Sequence, residues 1–197
     1  MMSPGCSPSV KQYMAGCLAV LLATSVAAFE PPSYRKPPPV LSASGTVQVA
    51  FTPGQDAGKL IADGIDGART QVLVQAFSFT HRRIADALIA ARHRGVDVKV
   101  IADREQTEKI PTSLIARMAS QGVLVFMDSN HSSAHNKVML IDAGSAQATL
   151  ITGSFNFTHA AQHKNAENVL VMRGNSALVD LYLENWLDHF RHARPYR

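Results

Sequence analysis

Cysteine is scarce: the 197-residue chain has two, Cys6 and Cys17. Blocks of like charge are missing too. Lys+Arg 19 against Asp+Glu 15 gives a formal +4, and no run of about five or six like charges occurs. This mildly basic balance permits a polyanionic substrate without demanding one. No long apolar run occurs. The longest, Met14 to Ala23, is short for a membrane span of roughly 20 residues. No repeat at solenoid periods is present. With 46% hydrophobic and 17% charged residues, the composition is globular, neither disordered nor fibrous.

The first 28 residues read as a leader. Lys11 is their only charge, the apolar run follows it, and Thr24-Ser25-Val26-Ala27-Ala28 supplies small residues for cleavage. The chain is therefore expected to be exported, to a periplasm or beyond. An uncleaved anchor is the less favoured reading. Removing the leader lowers the formal charge to +3 and takes both cysteines with it. The mature chain then has no disulfide, no thiol nucleophile and no Cys-ligated zinc. Residues 29–40, including Glu30 to Pro39 (EPPSYRKPPP), read as a proline-rich arm of extended geometry. Residues 41–197 should form one catalytic domain.

Within that domain strand and helix patterns alternate. Strands are predicted at 46–51, 70–77, 96–102 and 123–127, and helices at 55–68, 83–94 and 111–121. A hairpin, 137–142 with 148–152, a strand at 168–172 and an amphipathic helix at 176–192 follow. This order predicts an α/β fold, a mixed sheet with helices on both faces.

The chemistry concentrates between His131 and Glu167. His135-Asn136-Lys137 is followed, after four intervening residues, by Asp142, then by Gly153-Ser154-Phe155-Asn156, and Glu167 comes eleven residues after Asn156. Strand residues i and i+2 face the same way. His135 and Lys137 should thus project together from the start of one strand, and Ser154 and Asn156 from the end of the next. An imidazole, an ammonium, a hydroxyl and an amide then converge at one sheet edge. Imidazole can attack phosphorus, and the donors can stabilise charge on its equatorial oxygens. Asp142 has the opposite parity to His135, so a structural or charge-balancing role is expected for it.

His-x-Lys-x4-Asp followed by Gly-Ser-x-Asn resembles the motif of the phospholipase D superfamily. Gln75 to Thr80 (QAFSFT), Arg94 to Val100 (RGVDVKV), Thr152 to Thr158 (TGSFNFT) and Lys164 to Asn168 (KNAEN) are similar to its small single-motif, Nuc-type bacterial endonucleases. The resemblance implies a homodimer whose two motifs build one site across a two-fold axis. One His135 would form a phosphohistidine and the other would be the general acid. Lys137 and Asn156 would hold the non-bridging oxygens, Ser154 would lie at the site, and Glu167 would hydrogen-bond the imidazole and fix its tautomer. No metal and no cofactor are implied. The substrate would be nucleic acid, DNA or RNA, with phospholipid head groups as the alternative. The ten residues from Ala143 to Thr152 exceed the family's usual spacing. If the hairpin turn absorbs the excess the site survives; if it shifts the second strand, Ser154 and Asn156 miss the phosphate.

Blander readings stand beside these. His131 and His135, and His159 and His163, have the i,i+4 spacing of helical zinc ligands. Lys137 beside such an ion would repel it, and His159 and His163 suit a solvated helix face. Ser154 lacks the Gly-x-Ser-x-Gly elbow of a serine hydrolase. Arg82, Arg83, Arg92 and Arg94 suit a phosphate track and helix solubility equally. Phe155, Phe157 and Trp186 read as core. A non-catalytic binding module is disfavoured, because all the reacting groups are present.

Overall fold

The order of pattern changes along the chain is realised as eight strands and six helices in the computed structural model, which describes residues 37–197. The expected leader lies outside the described residues, as does most of the expected arm. Val40–Arg197 forms one compact unit. In chain order the elements are β1 (Thr46–Thr52), α1 (Ala57–Asp66), β2 (Gln71–Ala76), α2 (Arg82–His93), β3 (Asp97–Asp103), α3 (Arg104–Lys109), α4 (Ile115–Ser120), β4 (Leu124–Asp128), β5 (Lys137–Ile141), β6 (Thr149–Gly153), α5 (His159–His163), β7 (Glu167–Arg173), α6 (Ser176–His192) and β8 (Arg194–Pro195). The strands form one mixed sheet in the order β1-β7-β6-β5-β2-β3-β4-β8. Pairings β2–β3 and β3–β4 are parallel and the rest antiparallel. This is the expected α/β sandwich.

Alternation on the strands divides the core in two. Val72, Val74 and Ala76 of β2 face the cluster that also holds Ile61 and Ile65 of α1, Ile84 and Leu88 of α2, and Met118 of α4. Leu73 faces the other side, with Val138, Leu140, Leu150 and Trp186 of α6. Each such large side chain, fully buried, contributes about 1.5–3 kcal/mol. Trp186 also donates from Nε1 to the Val74 carbonyl at 3.1 Å, so its polar edge is satisfied inside the core.

Two local differences from the sequence reading have identifiable causes. The helix expected from Pro111 begins only at Ile115, because the Leu114 N–H is taken by the Phe79 carbonyl at 2.9 Å. The short α3 was not expected. Asp103 caps it by accepting from Gln106 N at 2.8 Å, and Glu105 pairs with Lys109 one turn on.

Sheet direction gathers the important loops. Lys137 at the start of β5 lies opposite Ala76 at the end of β2. Gly153 at the end of β6 lies opposite Val169, near the start of β7. The ends of β3 and β4, Asp103 and Asp128, face each other in parallel register. All of these points lie at one edge of the sheet, where ligands gather in open α/β folds. The long Asp142–Gly153 spacing is absorbed in the turn at residues 142–148. Below it the hairpin register is regular, Ile141 opposite Thr149 and Val138 opposite Thr152.

Candidate active site

Lys137 opens β5 and is 8% exposed. Its ammonium donates to the His135 carbonyl at 2.6 Å and lies 2.9 Å from His135 Nδ1. It also sits 4.9 Å from the centre of the Phe77 ring, a cation–π contact. Burial disfavours the charged form and pulls the Lys137 pKa down to about 8, although the Glu167 charge works the other way. His135 is exposed, its ring tilted against Phe77 at 4.3 Å. The imidazole is thus open on one side and backed by an aromatic ring and a cation on the other. While Lys137 is protonated, Nδ1 must accept, and the imidazole proton resides on Nε2.

The second strand supplies its groups through close backbone packing. A Cβ on Gly153 would run into the Asn168 carbonyl, so glycine is required where β6 passes β7. Ser154 is exposed. Its Oγ donates to Glu167 Oε2 at 2.6 Å and accepts from Asn168 N at 3.1 Å. Phe155 and Phe157 are buried to 1% and 2% exposure, anchoring the segment in the core and leaving Asn156 between them. Asn156 Oδ1 is buried with no hydrogen-bond partner among the described residues.

One predicted residue, Glu167, is placed otherwise than expected, and a second, Asp142, lies away from the other groups. Glu167 does not hydrogen-bond the imidazole within the chain. Ser154 holds one of its oxygens and Asn165 Nδ2, at 3.0 Å, holds the other. Asp142 lies at the far end of β5 from Lys137, with φ of +50°. Its carboxylate accepts from the backbone N–H of Arg69, Thr70 and Gln71 and from the Thr70 hydroxyl. These donors outweigh its desolvation and hold its pKa below the usual carboxylate value. Asp142 is a clamp for the entry to β2, the structural role its parity suggested.

Sequence reasoning assigned no role to Phe77, Asn165 or Asn168 as site partners, although all three lie in the stretches that carry the family resemblance. The four arginines separate by position. Arg92 Nε donates to the Gly122 carbonyl at 2.8 Å and Arg94 to the Ile65 carbonyl at 3.1 Å, so both brace the fold. Arg82 and Arg83 instead line a cavity of ≈ 970 Å³ with His81, His159 and His163. The cavity abuts the catalytic segment through Thr80, whose N–H donates to the Phe157 carbonyl at 2.9 Å.

An exposed imidazole, a buried ammonium, a hydroxyl and an amide thus lie at the same end of the mixed sheet. Residues 61–190 match the family described as "Cardiolipin synthase, PLD-like domain". The chain belongs to the phospholipase D superfamily, and it is a phosphodiesterase of the hydrolase class. It is 41% identical over 141 residues to a "Phospholipase D" of Rickettsia bellii, covering 72% of this chain and 67% of that protein. It is 32% identical over 119 residues to the "Mitochondrial cardiolipin hydrolase" of Mus musculus, covering 60% of this chain and 51% of that one. The solved structure of a phospholipase D family member, Nuc from Salmonella typhimurium, superposes with a TM-score of 0.72 at 38% identity. It covers 78% of this chain and 99% of that chain.

Proposed function

We propose that this phosphodiesterase is an exported, non-specific endonuclease that cleaves nucleic-acid backbones through a phosphohistidine, with no metal in the chemical step. The observation that carries the reading is the buried Lys137 ammonium 2.9 Å from His135 Nδ1, beside an otherwise open imidazole. The likeness to Nuc supports the substrate class, and so does the cavity carrying Arg82, Arg83, His159 and His163. Backbone contacts of that kind hold phosphates without reading bases.

One chain supplies one such imidazole, and the reaction uses two. The Nε2 lone pair of His135 attacks phosphorus and the P–O bond to the leaving oxygen breaks. That oxygen takes a proton from His135 of the partner subunit. Water then attacks the phosphohistidine, giving its proton to the same partner imidazole, and the P–N bond breaks to restore His135. Lys137 and Asn156 hold the non-bridging oxygens as charge builds on them. To attack, the imidazole must be neutral with its proton on Nδ1, and to act as the acid it must be imidazolium with a proton on each nitrogen, so the Lys137–Nδ1 contact gives way in each copy as it reacts. A homodimer is further supported by edge strand β1. Val47, Val49 and Phe51 are 65%, 44% and 59% exposed, and Val49 lies opposite Leu170 and Phe51 opposite Asn168, beside the site.

A second reading, hydrolysis of phospholipid head groups, is favoured by the names of the Rickettsia and mouse relatives. The apolar stripe on β1 would then meet a lipid surface. Plasmid DNA and phosphatidyl-lipid vesicles, each incubated with the protein in EDTA, separate the two. Degradation of DNA alone, lost in His135→Ala with binding retained, supports the endonuclease. Release of head groups alone overturns it in favour of the lipase, and strict dependence on added metal overturns the chemistry.

A further inference from the structure

We propose that Asp128, His131, His189 and His192 form a site for one borderline divalent transition metal ion, of which zinc is the type, fastening the loop that carries His135 to the end of α6. Asp128 is the last residue of β4 and its side chain is wholly buried. His131 follows in the loop leading to β5. His189 and His192 lie one turn apart on the same face of the last turns of α6. From these separate places three imidazoles turn to one oxygen. His189 Nδ1 is 2.8 Å from Asp128 Oδ2, and His131 Nδ1 and His192 Nε2 are each 3.1 Å from it.

Hydrogen bonding alone is a poor account of this arrangement. A carboxylate oxygen offers two lone pairs, and here three ring nitrogens compete for one oxygen. Asp128 Oδ1 already accepts from Asn130 N at 2.9 Å. One cation can replace all three protons. The four ligand atoms lie within 4.8 Å of one another. Around zinc, with bonds of about 2.0–2.1 Å, the edges of the ligand tetrahedron are about 3.4 Å. Small side-chain shifts close the difference.

The donor set selects the ion. Three imidazole nitrogens and one carboxylate suit zinc and its neighbours, whereas calcium and magnesium take oxygen ligands. The ion has a way in, because the His131 and His192 side chains are 44% and 28% exposed. The site is not part of the phosphate chemistry, since none of its four ligands hydrogen-bonds His135, Lys137, Ser154 or Asn156. Its effect falls on residues 129–136. The opposite end of that loop is already held where Ala134 N donates to Asp103 Oδ2 at 2.8 Å. A metal clamp at His131 would fix the near end, and His135 stands between the two fixed points and β5.

The test uses the full chain, stripped with a chelator and dialysed, then titrated with Zn2+ alone against a chromophoric chelator. We expect one ion per chain, a rise in Tm on binding, and the intense visible absorption of a tetrahedral site when Co2+ is used. Loss of a ligand in His131→Ala should weaken binding by more than the about 10–100-fold typical of outer-shell partners. His189→Ala/His192→Ala should abolish stoichiometric binding. His159→Ala/His163→Ala, which changes the other histidine pair, should leave it intact. His131 is exposed, so its variant folds even if the helix variant does not. No stoichiometric Zn2+ binding, or binding unchanged in His131→Ala, overturns the site. So does binding lost only in the His159/His163 variant. Because these readouts need no turnover, they stand or fall separately from the endonuclease assignment.

Discussion

The ammonium of Lys137 lies 2.9 Å from Nδ1 of the His135 that precedes it by two residues, and 2.6 Å from that residue's own carbonyl oxygen. An i,i+2 pair entering a strand therefore forms a closed unit. The cation is desolvated by the sheet and the imidazole is held with its other nitrogen outward.

This desolvation sets a pH limit. With Lys137 titrating at about 8, kcat/KM for DNA should fall as pH rises through that value, because the neutral amine no longer balances phosphate charge. The Glu167 carboxylate raises the Lys137 pKa, so Glu167→Gln should move the alkaline limb to lower pH. A purely structural Glu167 would reduce activity without moving the limb. Stability has the opposite slope. Above about 8 the native chain has shed the proton that the unfolded chain keeps until its ordinary value of 10.5. The Lys137 contribution to stability therefore rises with pH across that window. In Lys137→Met this rise should vanish from urea titrations, and kcat/KM at pH 7 should drop about 10²–10³-fold.

Gly153→Ala tests the packing beneath Ser154. The added methyl meets the Asn168 carbonyl and must push β6 away from β7. We expect a loss of about 1–3 kcal/mol, read from chemical denaturation. The residual folded protein should turn over poorly, because the same displacement moves Ser154 and Asn156.

Asp142→Ala should separate stability from catalysis. It strands the N–H groups of Arg69, Thr70 and Gln71, and a lost acceptor for part-buried donors is worth about 1–3 kcal/mol. Tm should fall while kcat of the folded fraction holds. Asp142→Asn, which also tolerates positive φ, should recover part of the loss. A kcat collapse in the alanine variant at full folding would assign Asp142 to the chemistry.

Val49→Lys tests the two-fold site. A charge in the middle of the exposed β1 stripe should convert a dimer to a monomer in light scattering and remove turnover with it. Full activity in a demonstrated monomer would rule out a site shared between subunits.

Period-two and period-3.6 patterns are local, so they announced β2, β3, α2 and α6 nearly to their ends. They also announced that His135 and Lys137, and Ser154 and Asn156, leave their strands in pairs. The parity of Asp142 suggests a structural role, and its carboxylate accepts from Arg69, Thr70 and Gln71 at the entry to β2. The i,i+4 spacing of His131 and His135 suggested a pair, but the loop separates them, one going to Asp128 and the other to Lys137. Glu167 sits in the right region, yet its hydrogen bonds go to Ser154 and Asn165, a choice no spacing encodes.

What could be known from the residues alone was therefore which segments are strands and helices, which side chains share a face, and which chemistry the paired motifs carry. These follow from backbone periodicity and side-chain type, properties of neighbours in the chain. Folding was needed to bring His189 and His192 to Asp128 across 61 and 64 positions, to back His135 with Phe77, and to turn Asp142 onto the start of β2. Those contacts depend on strand order and on how α6 lies across the sheet. They are settled by burying two apolar faces at once, which no short window of sequence specifies.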